Sequence, residues 1–201
     1  MRMIVNLRGC NGSGKSSIPI SMLDDPKMYE IKKPWNGKEL IIATVFPTYG
    51  WISMGHYKWK TGGMDTLPDN TVCMRKIFWY LLKHYPNYNL IMEGVLCCTV
   101  LNPYIKLFNE AMEKYPDTTV YVVSLLPSLQ TCIDRVYKRN GGKPIKEADV
   151  DKKYRSTIRF IEKFKDAGIN SVVWDNTVIT EDKLIHQLED KIQEWENEQC
   201  S

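Results

Sequence analysis

Near the N-terminus the run Gly9-Cys10-Asn11-Gly12-Ser13-Gly14-Lys15-Ser16 fits the spacing G-x-x-x-x-G-K-[ST] without a mismatch. Each residue type has a chemical use there. The glycines admit backbone torsions that turn successive N–H groups onto phosphate oxygens. Lys15 supplies a cation for the β- and γ-phosphates, and the Ser16 hydroxyl is an oxygen ligand for Mg²⁺. Asn11, Ser13 and Ser17 complete the expected nucleotide-binding set with Gly9, Gly12 and Gly14. The run predicts binding of a nucleoside triphosphate such as ATP, with Mg²⁺.

A nucleotide site does not by itself name a reaction, and three further groups bear on the choice. Glu93-Gly94 closes the apolar run Asn89–Met92. A carboxylate at that strand end lies beside a phosphate loop, where it can hold a magnesium-bound water or a substrate hydroxyl. Arg135 and Arg139 are four apart and share a helix face, with Gly141-Gly142 beyond them. Arginines so placed stabilise charge on a transferring phosphoryl group, and the glycines let a flap over residues 138–150 close. Asn176, in Asp175-Asn176-Thr177 after the last strand, is a candidate for the nucleotide base. The ordinary readings of these groups are a solvent-facing glutamate, a solvated basic helix end and a turn. Arg155 and Arg159, again four apart, read as a solvated face.

The segment Gly55-His56-Tyr57-Lys58-Trp59-Lys60-Thr61-Gly62-Gly63-Met64-Asp65 is the most distinctive after the phosphate loop. Asp65 follows two glycines and is placed to accept a proton from an attacking hydroxyl. Trp51, Tyr57 and Trp59 offer rings on which a base could stack, and Lys58 and Lys60 offer charges for backbone phosphates. Cross-strand aromatic packing with solvated lysines is the plainer reading of the aromatics. His56, His84 and His186 have no partner pattern.

These groups need a scaffold, and the apolar periodicity supplies one. Met3–Leu7 reads as a buried strand leading into the glycine loop, and Ser16–Asp25 as a helix shortened or bent by Pro19. Residues 28–57 read as β structure with an antiparallel pair, divided by Asn36-Gly37 and by Pro47 to Gly50. Met74, Ile77, Phe78, Leu81 and Tyr85 mark a helix over 69–85, stopped by Pro86. Asn102, with Pro103 behind it, is the expected N-cap of the next helix. Thr119–Leu126 and Ser171–Trp174 read as buried strands. Ser128 caps a helix, a further helix over 149–167 ends at Gly168, and a final helix starts near Thr180. Alternating strands and helices without a linker predict one α/β domain over 1–201, a parallel sheet covered by helices on both faces, with 28–70 as a β-rich insertion or edge addition.

Composition narrows the classes. A net charge of +3 does not argue for nucleic acid or membrane, although a local basic face would be invisible in the total. The six cysteines form no C-x-x-C pair and read as reduced thiols of a reducing compartment. The first residues do not resemble a signal peptide, and no apolar run approaches the about 18 residues of a membrane span. A cytoplasmic protein is expected, the host cytoplasm if it is phage-encoded.

With the loop, Glu93, Arg135, Arg139 and Asn176 in hand, the chain resembles the P-loop kinase family of nucleoside and nucleotide kinases outside 28–70. That resemblance implies a three-layer α/β sandwich with a mostly parallel five-stranded core sheet and 28–70 on its substrate side, Arg135 near the adenine and Arg139 near the phosphates. Two departures stand out: no Asp-Arg or Glu-Arg follows the first core strands, and the region of the usual substrate helix is β-rich. The 55–65 segment is similar to phage kinases that phosphorylate 5-hydroxymethyluridine within DNA, where a G-x-Y segment precedes a Gly-Gly-x-Asp turn. It implies an ATP- and Mg²⁺-dependent phosphotransferase acting on 5-hydroxymethyluracil in DNA. Its catalytic set would be Lys15, Asp65, Arg135 and Arg139; Tyr57, Lys58, Asp65 and Glu93 would bind substrate, and Ser16 and Glu93 the metal. A free nucleoside or nucleotide kinase, and a nucleotide-gated binding module with little turnover, are the competing readings.

Overall fold

The computed structural model describes residues 2–58, 62–68, 71–94, 99–178 and 184–200. Seven strands form one sheet: β1 Arg2–Arg8, β2 Tyr29–Trp35, β3 Lys38–Phe46, β4 Trp51–Met54, β5 Asn89–Glu93, β6 Thr118–Leu125 and β7 Asn170–Trp174. Their order is β2-β3-β4-β5-β1-β6-β7. The five strands from β4 to β7 in that order are parallel, and β2 and β3 add an antiparallel edge. This is the expected three-layer α/β sandwich with one correction. The 28–70 segment is not only an addition, because its β4 is the fifth core strand, paired with β5.

The helices described are α1 Ser17–Ile20, α2 Thr71–His84, α3 Asn102–Lys114, α4 Leu129–Arg139, α5 Glu147–Asp166 and α6 Leu184–Gln199. Their apolar stripes cover both faces of the sheet. One core joins Ile4, Leu90, Met92, Val120 and Val122 to Ile77, Phe78 and Leu81 of α2, Leu107 and Phe108 of α3 and Phe164 of α5. The other joins Val5, Leu7, Ile91, Tyr121 and Val123 to Ile18 and Met22 and to Leu184, Ile185 and Leu188 of α6. Strands buried on both faces need apolar side chains at every position, which is why β1, β5 and β6 read as near-continuous apolar runs.

Local signals place most ends. The Ser128 hydroxyl accepts the Thr131 amide at 3.1 Å and caps α4. Gly168 takes φ +71 just beyond α5. Two expectations shift: α1 stops at Ile20 rather than Asp25, and Asn102 is the first helical residue of α3, behind Leu101. The expected start of the last helix at Thr180 lies outside the described residues, as do Trp59, Lys60, Cys97 and Cys98. Cys10, Cys73, Cys132 and Cys200 are free thiols. Among the described residues no helix is long and apolar enough to cross a membrane.

Candidate active site

The glycine loop leaves the C-terminal end of β1 and turns into α1. A four-residue helix carries only a small dipole, so the attraction for phosphate there comes chiefly from the loop's own N–H groups and from Lys15. Lys15 is 8% exposed. Its Nζ donates to the carbonyls of Gly9 and Cys10, each at 2.9 Å, and approaches Ser13 Oγ at 3.5 Å. The loop packs on α4: a Cβ added at Gly12 would lie 2.2 Å from the Cys132 carbonyl oxygen.

Across from the loop stands Glu93, the last residue of β5 and 1% exposed. Its Oε2 accepts the Ser16 hydroxyl at 3.1 Å. Burial pushes its carboxyl up to about 7, against the pull of Lys15 and of the Ser16 hydroxyl; neighbouring Asp65 raises it further, and Tyr57 lowers it. Its second oxygen, Oε1, is buried without a hydrogen-bond partner. Two hard oxygens of this kind, with one carboxylate lone pair unsatisfied, suit Mg²⁺, which binds one or two protein oxygens and completes its shell with waters and phosphates.

Asp65 arrives from the insertion. Gly55 ends the β4 crossing, His56 bridges to Gly63, and a short 3-10 turn over Met64–Thr66 follows. Close approach demands glycine at two points. At Gly63, φ +60, an added Cβ would lie 2.1 Å from Glu93 Oε1. At Gly94 it would lie 2.8 Å from Asp65 Oδ1. Backbone contacts thus bring two carboxylates, 28 residues apart in sequence, to one wall. Tyr57 packs against Gly62, and its hydroxyl shares a 2.6 Å hydrogen bond with Ser53.

The opposite wall is cationic. Arg135 Nη2 donates to the carbonyls of Asn176 at 2.9 Å and Thr177 at 3.0 Å. Arg139 ends α4 in solvent, and the 138–150 segment beyond it is exposed almost throughout. Together Asn11, Gly12, Gly14, Lys15, Ser16, Ser17, Gly62, Asp65, Glu93, Arg135, Val136, Arg139 and Asn140 line a cleft of 750 Å³. That volume falls within the range of small-ligand sites.

Not every expected residue reaches the cleft in the expected way. Trp51 is fully buried, donating its Nε1 to Glu189 of α6 at 2.8 Å, so it stacks on no base. Lys58 makes an ion pair with Glu30 of β2 at 2.7 Å. Asn176, 3% exposed, lies under the loop and donates to the Ser13 carbonyl at 2.7 Å, so it straps the loop rather than presenting an open face. Gly62, Val136 and Asn140 also line the cleft, and Lys153 of α5 reaches Asn11 Oδ1 at 3.3 Å. No spacing signal marks Lys153, which lies 142 residues from its partner.

Comparison with known proteins places this geometry. The 5-hmdU DNA kinase family profile matches residues 2–188. A 5-hmdU DNA kinase of Bacillus phage SP10 is 40% identical over 183 residues, covering 88% of this chain and 27% of that protein. 5-hmdU DNA kinase 1 of Salmonella phage ViI is 33% identical, over 74% of this chain and 64% of that protein. The chain thus spans under two thirds of either relative's length. A 5-hmdU DNA kinase of Pseudomonas phage M6 is 28% identical over 87% of this chain and 92% of its own length. With the glycine loop, Asp65 and Glu93 all inside the matched span, the chain belongs to the 5-hmdU DNA kinase family.

Proposed function

We propose that this chain transfers the γ-phosphoryl group of ATP to the hydroxymethyl oxygen of 5-hydroxymethyluracil in DNA, with Mg²⁺. The observation that carries the reading is the meeting of two carboxylates, Asp65 and Glu93, with the phosphate loop in one cleft. A binding module needs the loop; only a transfer enzyme needs a proton acceptor across from it. The acceptor is suggested by the names of the relatives.

The loop amides and Lys15 hold the triphosphate and stabilise charge on the transferring group. Mg²⁺, when bound, neutralises charge on the β- and γ-oxygens, and Ser16 and Glu93 would hold it. Asp65 orients the acceptor hydroxyl and takes its proton as the oxygen bonds to the γ-phosphorus. The bond from that phosphorus to the bridging oxygen breaks, leaving ADP and a phosphomonoester. Arg139, on the 138–150 lid, meets the phosphoryl oxygens, and Arg135 sits at the nucleotide's other end.

The test incubates the protein with γ-labelled ATP and Mg²⁺ in parallel with 5-hydroxymethyluracil DNA, matched thymine DNA, and free pyrimidine nucleosides and nucleotides. Label on the hydroxymethylated DNA alone is expected. Label on a free nucleoside would retain the kinase and overturn the polymer acceptor. ATP bound with no transfer to any acceptor would point to the binding module.

A further inference from the structure

Charge is distributed unevenly along this chain. Residues 135–165 carry eleven Lys or Arg against four Asp or Glu, a net +7, whereas the whole chain carries +3 and the remainder therefore −4. The excess occupies the lid and α5. Val150, Thr157, Ile161 and Phe164 form the buried stripe of α5. At 100° per residue, Lys152, Arg155, Arg159 and Lys163 lie on the opposite face, and all four are exposed. Arg155 pairs with Asp151 at 3.0 Å, while Lys152, Arg159 and Lys163 have no ion pair among the described residues. Of the four acids, Glu147, Asp149 and Asp151 stand in the first turns of α5, where they complement the helix's positive end, and Glu162 pairs with Lys165.

The stripe begins at the cleft. Lys153 ties the first turns of α5 to Asn11 of the phosphate loop, and Val150 and Tyr154 pack with Cys10 of that loop and Cys132. From Lys152 to Lys163 the row extends about 16 Å down the molecule. Lys143 and Lys146, both exposed, lie in the chain between cleft-lining Asn140 and the start of α5. A row of exposed cations, three of its four without an ion pair among the described residues, running from a phosphoryl-transfer cleft is complementary to a polyanion and has no use for a free nucleoside.

We propose that the lid and the outward face of α5 form a track for the sugar–phosphate backbone of the acceptor DNA. This rests on the DNA acceptor of the preceding section and names the surface that would hold it. Contacts there position the strand and read no sequence. The hydroxymethylated base would be read in the cleft, and its flanking phosphates on α5.

The test compares the full chain with a Lys152→Gln/Arg159→Gln/Lys163→Gln variant and with a control variant, Lys76→Gln/Lys83→Gln, on the exposed side of α2. Glutamine keeps helix propensity and all five positions are exposed, so both variants should melt with wild type. The probe is a 30-base-pair duplex containing 5-hydroxymethyluracil, with a thymine duplex beside it. For the α5 variant, duplex affinity should fall about tenfold or more at low salt. The slope of log K against log salt should become shallower by about 2–3, near 0.9 for each phosphate contact removed. The loss should be equal on both duplexes, and in the transfer assay KM for DNA should rise while kcat and the KM for ATP hold. The α2 control should change none of these. Wild-type transfer to DNA with the α5 variant unaffected, or with the α2 control weakened instead, would overturn the track and leave the function standing. A wild type that neither binds nor labels DNA would overturn the acceptor, and the track with it.

Discussion

On one wall of the cleft Glu93 is 1% exposed, accepts the Ser16 hydroxyl, and is touched by a glycine that could be nothing larger. On the other, Arg139 and the segment that follows it face solvent, and Arg135 donates to the backbone carbonyls of Asn176 and Thr177. The acid wall is built before any ligand arrives. Glu93 is desolvated and oriented by sheet register and close backbone contact, and that burial is what pushes it up to about 7, while Asp65 beside it stays exposed. The cationic wall is assembled at little folding cost, because hydrated arginines on a helix end need no buried partner. A phosphoryl-transfer site has reason for this division. Acceptor geometry must be preorganised, whereas charge over the transferring group must open to admit and release nucleotide.

The comparison predicts that substitutions on the two walls fail differently. Asp65→Asn should lower kcat by about 10²–10⁴-fold while ATP binding persists, measured by single-turnover transfer beside nucleotide titration; undiminished turnover would remove Asp65 from the chemistry. Arg139→Gln should lower transfer by about 10²-fold with the melting temperature unchanged, since it touches charge and not packing. A parallel loss of stability would mean that the lid wall is structural after all.

Glu93→Gln combines activity with a pH signature. In the proposed role Glu93 holds Mg²⁺ as a carboxylate, so wild-type kcat/KM should fall as pH drops through about 7, and the variant should be poor at every pH and lack that limb. Its stability should move the other way. A carboxyl raised in the folded state contributes stability below its unfolded value near 4.5 and loses it as pH rises through about 7. Above pH 7 the wild type therefore buries a charge that glutamine does not carry. Glu93→Gln should be the more stable protein at pH 8, by about 3 kcal/mol, with the difference down to about 1 kcal/mol at pH 5. Chemical denaturation at both pH values would show it.

Gly63→Ala should cost about 2–3 kcal/mol and displace Glu93, because the new methyl meets Oε1 at a positive φ. Gly37→Ala, at φ +75 with nothing within 4 Å, should cost only about 1 kcal/mol. Equal costs would mean that backbone strain alone, and not the fit against Glu93, explains Gly63. Smallest is Lys58→Ala. Its ion pair with Glu30 is exposed on the lysine side, so stability should change by less than about 1 kcal/mol in urea titration.

Much of this molecule was legible in its order of residues. The glycine loop, the helices α2, α4 and α5 and the β-branched strand β6 are local patterns, and the structure places them within a residue or two of expectation. The loop's phosphate-binding groups lie within eight positions, and its torsional demands are written in the glycines themselves. Capping at Ser128 and termination at Gly168 are likewise short-range. By itself, then, the sequence determined the sandwich, the phosphate loop and the candidate carboxylates.

What it could not determine depends on chain closure over long distances. Ser16 meets Glu93 across 77 positions, and Asn11 meets Lys153 across 142. Trp51 looked like a stacking platform until α6 covered it, 138 residues away, with Glu189 waiting for its indole. A tryptophan reads the same whether a later helix lies over it or not. Asn176 had its side chain turned beneath the loop by the same kind of distant meeting. Such contacts follow from the parallel register of β4, β5, β1, β6 and β7, which carries the ends of strands remote in sequence to one edge of the sheet. Only there do burial and neighbouring charge act on Glu93 together, and only there does a basic stripe on α5 acquire an end at the cleft.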